Sequence, residues 1–171
     1  MQAASDDIRL TPTSYIVLGF LAAANECTPY ELKQAVAASV GNFWTLQHAQ
    51  LYSEPERLAK AGFLTVKREE TGRRRKRYRL AARGRRALEE WLQSPVQEVT
   101  ELRDLALLKL FFGADPGVLA PEQLEAHRRK LEEYEGLADQ EMPGGMRLAL
   151  ESGLGHEREW VRFWKKMSRR S

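Results

Sequence analysis

The chain contains 171 residues with a net charge of +3 at pH 7, and 43% of its residues are hydrophobic. That share of apolar side chains is sufficient for a folded core and excludes an intrinsically disordered chain. Cys27 is the only cysteine, which excludes an intrachain disulfide and a cysteine-based zinc site.

Two helices are predicted at the start of the chain, each introduced by a threonine that is followed by proline. Thr11 and Thr28 are favourable N-cap residues, and proline is favoured at the first helical position. Glu31 completes a capping box with Thr28, so the second helix is predicted to run from there to about residue 39. The intervening Asn25-Glu26-Cys27 is predicted to be a turn.

A third helix is predicted over about 45–62, because apolar residues recur there at helical spacing and a glycine ends the pattern. Pro55 lies inside this helix and is expected to kink it or to tighten one turn. Two strands at about 63–69 and 75–80 follow, joined by a glycine-containing turn. A fourth helix is predicted over about 82–93.

The second half of the chain is predicted to be entirely helical. The segment 101–112 is apolar on nearly all sides, so it is expected to be buried on more than one face. Asp115-Pro116-Gly117 is predicted to be a loop, followed by a long amphipathic helix at 121–140. A break at Pro143-Gly144-Gly145 precedes a last helix at about 146–168.

The order of these elements predicts a mainly α fold in two domains. Residues 10–93 are expected to form a winged helix-turn-helix DNA-binding domain of three helices plus a β-hairpin wing, and residues 96–171 an all-α dimerisation domain. Charge follows the same division, because residues 1–93 carry a net charge of +5 and residues 94–171 a net charge of −2. A basic half beside a slightly acidic half favours contact of the first half with nucleic acid.

Basic residues are concentrated in the predicted hairpin and in the helix after it. From Arg73 to Arg86, nine of fourteen residues are lysine or arginine and none is acidic. A surface that only keeps a protein soluble normally mixes both signs of charge, whereas binding of such a run to DNA releases condensed counterions. We expect the wing to contact DNA phosphates or to enter a minor groove, with a solvated charged surface as the alternative.

An aromatic seam lies on the last predicted helix. Its four bulky residues follow the spacing i, i+3, i+4, i+7 and therefore share one face. Three helices form a thin domain, so this seam is expected to pack against a second copy of the chain, with a ligand cage as the alternative. The predicted dimer interface comprises Leu102, Leu105, Leu108, Trp160, Phe163, Trp164 and Met167.

Five segments resemble the PadR family of bacterial transcriptional regulators, namely LTPTSYIVLGFLA (10–22), TPYELKQ (28–34), FWTLQHAQLYSEPERLAKAGFL (43–64), GRRRKRYRLAARGRRALEEWL (72–92) and ELRDLALLKLFF (101–112). The tryptophan-centred segment followed by QLY is the most specific of them. The resemblance implies a homodimer that binds a pseudo-palindromic operator, usually to repress transcription, and that a small-molecule effector often releases from the DNA. The length of the second half resembles the longer PadR subfamily, which has a helical dimerisation domain.

Three positions depart from the family pattern. Gln47-His48-Ala49-Gln50 stands where the family usually has Ser-x-Gly-Gln, and Ser53 stands where it usually has proline. Ala81-Ala82 replaces the usual threonine cap of the helix after the wing, a loss that costs about 1 kcal/mol. The first two departures concern base specificity rather than the fold.

The third helix is expected to read bases in the major groove. Gln47, His48 and Gln50 have the reach to contact base edges, and a glutamine–adenine pair contributes about 1–3 kcal/mol of discrimination; an ordinary exposed helix face is the alternative. Arg57 is expected either to pair with a neighbouring glutamate or to reach DNA. The predicted DNA-binding residues are Thr13, Tyr15, Tyr30, Gln47, His48, Gln50, Tyr52, Arg73, Arg74, Arg75, Lys76 and Arg77.

Aromatic residues beside the third and fourth helices have two interpretations. Phe43 and Trp44 are interpreted as core residues that staple the third helix, with one wall of an effector pocket at the dimer interface as the alternative. Trp91 has the same ambiguity. The predicted effector-pocket residues are Trp44 and Trp91.

Catalytic and metal-binding motifs are absent from the sequence. His48, His127 and His156 lack metal-ligand spacing, and no phosphate-binding glycine loop or nucleophile elbow is present. His127 is interpreted as a hydrogen-bonded core histidine. Without a signal peptide or a long apolar run, we predict a cytoplasmic regulator that is not an enzyme, needs no cofactor and does not enter a membrane. A winged-helix protein-interaction module without specific DNA binding is the alternative.

Overall fold

The computed structural model describes residues 8–69 and 75–169. Within these ranges the chain forms two compact units that divide between Glu98 and Val99. No helix in the described ranges is both long enough and apolar enough to cross a membrane. Each unit has a buried core of its own.

Two capped helices begin the N-terminal unit, as the sequence predicts. Helix α1 spans Pro12–Ala24 and helix α2 spans Pro29–Ala37. In each, the hydroxyl of the N-cap threonine, Thr11 or Thr28, accepts a hydrogen bond from the backbone N–H three residues on, and that residue's side chain accepts one in return. A short 3-10 helix at Val40–Asn42 follows α2.

The segment between these two helices contains a strand that the sequence did not predict. Asn25 has a φ of 62°, and Glu26–Cys27 form strand β1. Strand β1 pairs with β3 (Lys76–Leu80), which also pairs with β2 (Leu64–Arg68), and both pairings are antiparallel. The prediction of a turn at residues 25–27 is therefore wrong for its last two residues, because β3 satisfies their backbone groups from a distant part of the chain.

Helix α3 spans Gln50–Lys60 and begins later than predicted. Residues 45–47 are not helical and His48 lies in a turn, so Gln47 and His48 precede the helix rather than belonging to it. Ala49 at the N-cap forms no side-chain hydrogen bond, whereas Gln50 Oε1 accepts one from the backbone N–H of Gln47 at 3.3 Å. This bond stabilises the turn in place of a first helical turn.

The core of the N-terminal unit lies between α1 and α3. Pro55 lies inside α3 without ending it and is fully buried. Around it, α1 and α3 contribute apolar side chains that are almost completely removed from solvent, so packing stabilises a helix that lacks a capping residue. These side chains are Val17, Leu18, Leu21, Leu51 and Leu58.

Helix α4 spans Ala82–Gln93, as predicted, and its first turn lies very close to the chain before β2. A Cβ atom added at Gly84 would be 2.2 Å from the carbonyl oxygen of Phe63, so only glycine fits this position. Ala81 at the N-cap has no side-chain hydrogen bond, as its sequence predicts, but its backbone N–H donates to the same carbonyl at 3.0 Å. The guanidinium of Arg83 covers the ring of Phe63 at 4.3 Å.

The C-terminal unit consists of α5 (Leu105–Phe111), α6 (Pro116–Ala138) and α7 (Gly144–Met167). The predicted loop at Asp115-Pro116-Gly117 is instead the start of α6, because Asp115 accepts a hydrogen bond from the backbone N–H of Gly117 and proline occupies the first helical position. The predicted break at Pro143-Gly144-Gly145 is displaced, because both glycines already belong to α7.

Arg147 explains why α7 begins at its two glycines. From the first turn of α7, its guanidinium donates to the carbonyl oxygens of Ala138 at 3.0 Å and Gln140 at 2.9 Å. These are carbonyl groups at the end of α6 that lack helical partners. The side chain therefore closes the connection between the two helices.

Helix α5 is mostly exposed, contrary to the prediction that the segment 101–112 is buried on more than one face. Asp104 caps the helix, so Leu102 precedes it, and in α5 only Ala106 is buried. Leu105 and Leu108 are more than half exposed, and Phe111 and Phe112 are about four-fifths exposed. The apolar side chains of this segment form a surface that the other described residues leave exposed.

The aromatic seam of α7 divides between the interior and the surface of the C-terminal unit. Trp164 is fully buried and Met167 nearly so, in a core with Ala106 and Ala120. Trp160 and Phe163 are partly exposed and pack against that core. The prediction that the seam faces a second chain needs correction for Trp164 and Met167, because side chains of the same chain already cover them.

Candidate nucleic-acid interface

A continuous polar surface precedes and follows the start of α3. Gln47, His48 and Gln50 are exposed, although only Gln50 belongs to the helix. Tyr52, two residues after Gln50 in the first turn of α3, is about half exposed. The structure therefore brings together four of the predicted DNA-binding residues on a turn and the first turn of a helix, the geometry in which a recognition helix presents its N-terminal residues to base edges.

A buried carboxylate of α3 holds this helix against α1. Glu54 Oε1 accepts a hydrogen bond of 2.6 Å from the hydroxyl of Ser14. Arg57 donates to both oxygens of Glu54, from Nε at 2.9 Å and from a terminal nitrogen at 2.6 Å, and also to the Ser14 hydroxyl at 3.1 Å. The local pairing of Arg57 with a glutamate is thus confirmed.

Burial and hydrogen bonding act in opposite directions on Glu54. Burial raises the pKa of the Glu54 carboxyl, but the hydrogen bonds from Arg57 and Ser14 and the charge of Arg57 outweigh burial, and the net pKa is lowered. Glu54 is therefore ionised at neutral pH. In the sequence Glu54 is recognisable only as a neighbour of Arg57, because nothing in the local pattern shows that it is buried beneath α1.

The basic residues of the wing that the structure describes have different surroundings. Lys76 forms an ion pair with Glu56 of α3, and Arg77 lies among three carboxylates: Glu26 at 2.9 Å, Glu69 at 3.6 Å and Glu31 at 3.8 Å. Each ion pair competes with any DNA phosphate for the same cation. Arg75 is exposed, whereas the predicted contacts Arg73 and Arg74 lie outside the described residues.

Strand β1 supplies another carboxylate of the wing base. Glu26 accepts a hydrogen bond from Nε of Arg79 at 2.6 Å as well as one from Arg77. The hydrogen bond from Arg79, aided by that from Arg77, lowers the pKa of Glu26 despite some desolvation. The role of Glu26 was missed because the strand that carries it was not predicted.

The predicted phosphate contacts on α1 and α2 differ in exposure. Tyr30 on α2 is 57% exposed, and its hydroxyl accepts a hydrogen bond from Gln34. Thr13 is partly exposed on the first turn of α1. Tyr15 is stacked on Trp91 of α4, with 4.5 Å between ring centroids and an interplanar angle of 7°, so this ring packs within the N-terminal unit.

The predicted effector residues Trp44 and Trp91 are both partly exposed. Trp91 uses one ring face against Tyr15 and remains 43% exposed. Phe43 and Trp44 are 68% and 44% exposed, so the interpretation of these two residues as core is wrong. After α2 the chain forms the short 3-10 helix, which has no buried residues. Phe43 and Trp44 follow it, and both rings lie at the surface.

The predicted dimer residues other than the buried Trp164 and Met167 lie at the surface of the C-terminal unit, near α5 and on α7. Leu102, Leu105 and Leu108 are exposed on α5 and just before it. Trp160 is stacked on His127 at 5.5 Å, and His127 Nδ1 lies 2.7 Å from a carboxylate oxygen of Glu157. The interpretation of His127 as a hydrogen-bonded core histidine is confirmed for the hydrogen bond, but its side chain is only partly buried rather than part of the core. Among the described residues, no cluster of histidine, cysteine, aspartate and glutamate could hold a metal ion.

The N-terminal fold and the polar surface of α3 define the class of winged-helix DNA-binding proteins. Comparison with known proteins makes the assignment more specific. The transcriptional regulator PadR-like family model matches residues 17–90. The chain is 27% identical over 152 residues to the negative transcriptional regulator PadR of Bacillus subtilis strain 168, and the match covers 83% of this chain and 82% of that protein.

Solved structures share the fold of nearly the whole chain. Bacillus subtilis PadR in complex with operator DNA is 23% identical with a TM-score of 0.82, covering 96% of this chain and 100% of that one. The same protein in complex with p-coumaric acid is 24% identical with a TM-score of 0.75, covering 94% and 97%. Residues 17–90, in the winged-helix unit, thus match the PadR-like family model, in agreement with the resemblance of the five sequence segments.

Proposed function

We propose that this protein is a sequence-specific DNA-binding transcriptional regulator, with the turn at residues 47–49 and the start of α3 in the major groove. The observation that carries the proposal is the exposed polar surface formed by Gln47 and His48 in the turn and by Gln50 at the start of α3, a helix that Glu54 anchors to α1. Side chains on a firmly held element can meet base edges with the geometry that hydrogen bonds require. Arg75 and the neighbouring wing residues supply phosphate contacts that set register.

The regulator acts as a homodimer. Leu105, Leu108, Phe111 and Phe112 form an apolar surface on and after α5 that the C-terminal unit does not cover, and monomeric proteins rarely expose such patches. A second copy of the chain is the occupant, because the resemblance of the sequence to the PadR family implies a homodimer on a pseudo-palindromic operator. Two-fold symmetry places the half-sites about one helical turn of DNA apart, or a multiple of it.

The regulator represses transcription and is released by a small aromatic molecule. Support comes from the Bacillus subtilis relative, which is named as a negative regulator and whose structure has been solved with p-coumaric acid. Trp44 and Trp91 provide exposed rings on which an aromatic effector could stack. Such a ligand acts only through different affinities for the DNA-binding and the released conformations, so it must weaken DNA binding in proportion to its occupancy.

The protein acts in the cytoplasm and is not an enzyme. The family whose model matches its winged-helix unit regulates transcription, an activity that needs contact with DNA and no chemical step. In this role, residues 10–93 bind DNA and residues 96–171 form the dimer. Deletion of the residues after Ser94 would therefore leave a monomer with weakened operator binding.

Selection of binding sites from a random duplex library tests the proposal. A palindromic site is expected, bound by two chains, with an affinity that falls steeply as salt rises because phosphate contacts release counterions. The absence of any enriched sequence, with affinity insensitive to salt, would reject the proposal and favour a winged-helix protein-interaction module.

A further inference from the structure

Two glutamates hold opposite sides of α3 to different parts of the N-terminal unit. Glu54 and Glu56 are two residues apart, so their side chains leave the helix about 200° apart around its axis. Glu54 is bound to Ser14 of α1, and Glu56 pairs with Lys76 of β3. Together these contacts resist rotation of the helix about its own axis.

The two contacts differ in their surroundings. Among the described residues, Glu54 is the only acidic side chain that is buried, and each of its oxygens accepts a hydrogen bond. The Glu56–Lys76 pair is substantially exposed, with 46% and 37% of the side chains accessible. Exposed ion pairs contribute little, whereas a buried and fully hydrogen-bonded carboxylate tolerates few alternative positions.

The network around Glu54 extends to the start of α1. The Ser14 hydroxyl, fully buried, also accepts a hydrogen bond from the backbone N–H of Thr11 at 2.8 Å. The remaining guanidinium nitrogen of Arg57 donates a hydrogen bond to the carbonyl oxygen of Arg9 at 3.3 Å. These hydrogen bonds link the position of α3 to the capping box of α1. Apolar packing alone would permit some rotation of the helix.

We propose that Glu54, held by Ser14 and Arg57, is a positioning residue that fixes the rotation of α3 and so determines which base edges this helix reads. The inference rests on the proposed function. Hydrogen bonds to base edges require donor–acceptor distances of about 2.7–3.2 Å, so a small rotation of α3 removes them. Flexible lysine and arginine side chains adjust to the same rotation and keep their phosphate contacts. Loss of the network therefore lowers sequence discrimination more than overall DNA affinity.

The test compares Glu54→Ala, Glu54→Gln and Ser14→Ala with wild type and with Glu56→Gln, the matched control on the opposite side of α3. For each full-length variant, dissociation constants are measured for the selected site and for a shuffled duplex across a salt series, below the midpoint of thermal unfolding. Glu54→Gln retains the shape and some hydrogen bonds of the carboxylate, so it serves as the conservative variant and also guards against loss of folding in Glu54→Ala.

Glu54→Ala and Ser14→Ala are expected to reduce the ratio of specific to nonspecific affinity by about 10-fold or more, the effect of losing one or two base contacts. The slope of log affinity against log salt stays at the wild-type value in these variants. Glu54→Gln restores part of the ratio of specific to nonspecific affinity, and the ratio for Glu56→Gln lies within about twofold of wild type. Variants that unfold at lower temperature but keep the wild-type ratio would overturn the inference. A wild-type ratio near one would instead reject the proposed function itself.

Discussion

Arg77 on the second wing strand donates a hydrogen bond of 2.9 Å from Nε to Oε1 of Glu26 on β1. The ion pair links the wing to the short strand that follows α1, and two further carboxylates lie within 4 Å of the same guanidinium. Arg77 therefore serves the structure of the wing base, although its sequence context is identical to that of the arginines expected to contact DNA.

Substitution of two wing arginines should separate structure from DNA binding. Arg77→Ala is expected to lower the thermal unfolding temperature, because Glu26 loses one of its two arginine partners. Arg75→Ala is expected to leave that temperature unchanged but to reduce the slope of log affinity against log salt by about 0.9 for each chain bound, the value of one phosphate contact. Calorimetry and salt-dependent binding measure the two effects, and equal behaviour of both variants would contradict the distinction.

Two glycine-to-alanine substitutions in helices should have opposite effects on stability. At Gly84 the added methyl group would meet the carbonyl oxygen of Phe63, so Gly84→Ala is expected to lower the free energy of unfolding by about 1–3 kcal/mol. At Gly136 of α6 there is open space, so Gly136→Ala is expected to raise it by up to about 1 kcal/mol through helix propensity. Urea denaturation measures both; a stabilising Gly84→Ala would show that α4 can move away from the strand.

Local chemistry in the sequence predicts most of the N-terminal helices. The capping boxes at Thr11 and Thr28 and the bounds of α4 depend on residues within a few positions of one another, so they are visible without a structure. Strand β1 and the burial of Glu54 depend on partners about 40 to 50 residues away, Arg79 and Ser14. The residues next to each position in the sequence do not indicate partners at this distance along the chain.

The candidate site shows the same limit. The resemblance predicts which residues lie around α3, but the start of the helix depends on the hydrogen bond between Gln50 and Gln47, which helical periodicity does not reveal. The exposure of α5 could not be predicted either, because an apolar surface for a second chain and an apolar surface for the core have the same composition.

Acid should destabilise the wild type more steeply than a variant without the Glu54 carboxyl. The pKa of Glu54 lies below 4.5 in the folded protein, so on acidification the unfolded chain takes up this proton first. The stabilisation is complete above the unfolded pKa and is lost as pH falls through the lower folded value.

Urea denaturation of wild type and Glu54→Gln in steps between about pH 6 and pH 3 measures this difference. We expect the two free energies of unfolding to approach each other below pH 4.5. Parallel pH profiles would mean that the folded state does not favour the ionised carboxylate.

A charge on the exposed face of α5 should separate the dimer. Leu108→Asp is expected to produce a monomer, because the substituted carboxylate would be buried without a partner at the interface. Leu148→Asp on α7 is the control, since Leu148 is also exposed but was not predicted at the interface. Sedimentation equilibrium distinguishes the two, and a dimer that persists in Leu108→Asp would place the interface elsewhere.

The most direct test of sequence recognition by the start of α3 is a profile of single base-pair substitutions. Each position of the selected duplex is changed in turn, and the dissociation constants of wild type and Gln50→Ala are compared at one salt concentration. We expect Gln50→Ala to lose about 1–3 kcal/mol of discrimination at one symmetric position in each half-site and to match wild type elsewhere. Uniform weakening at every position, or no change at any, would contradict base recognition by this residue and the placement of α3 in the major groove.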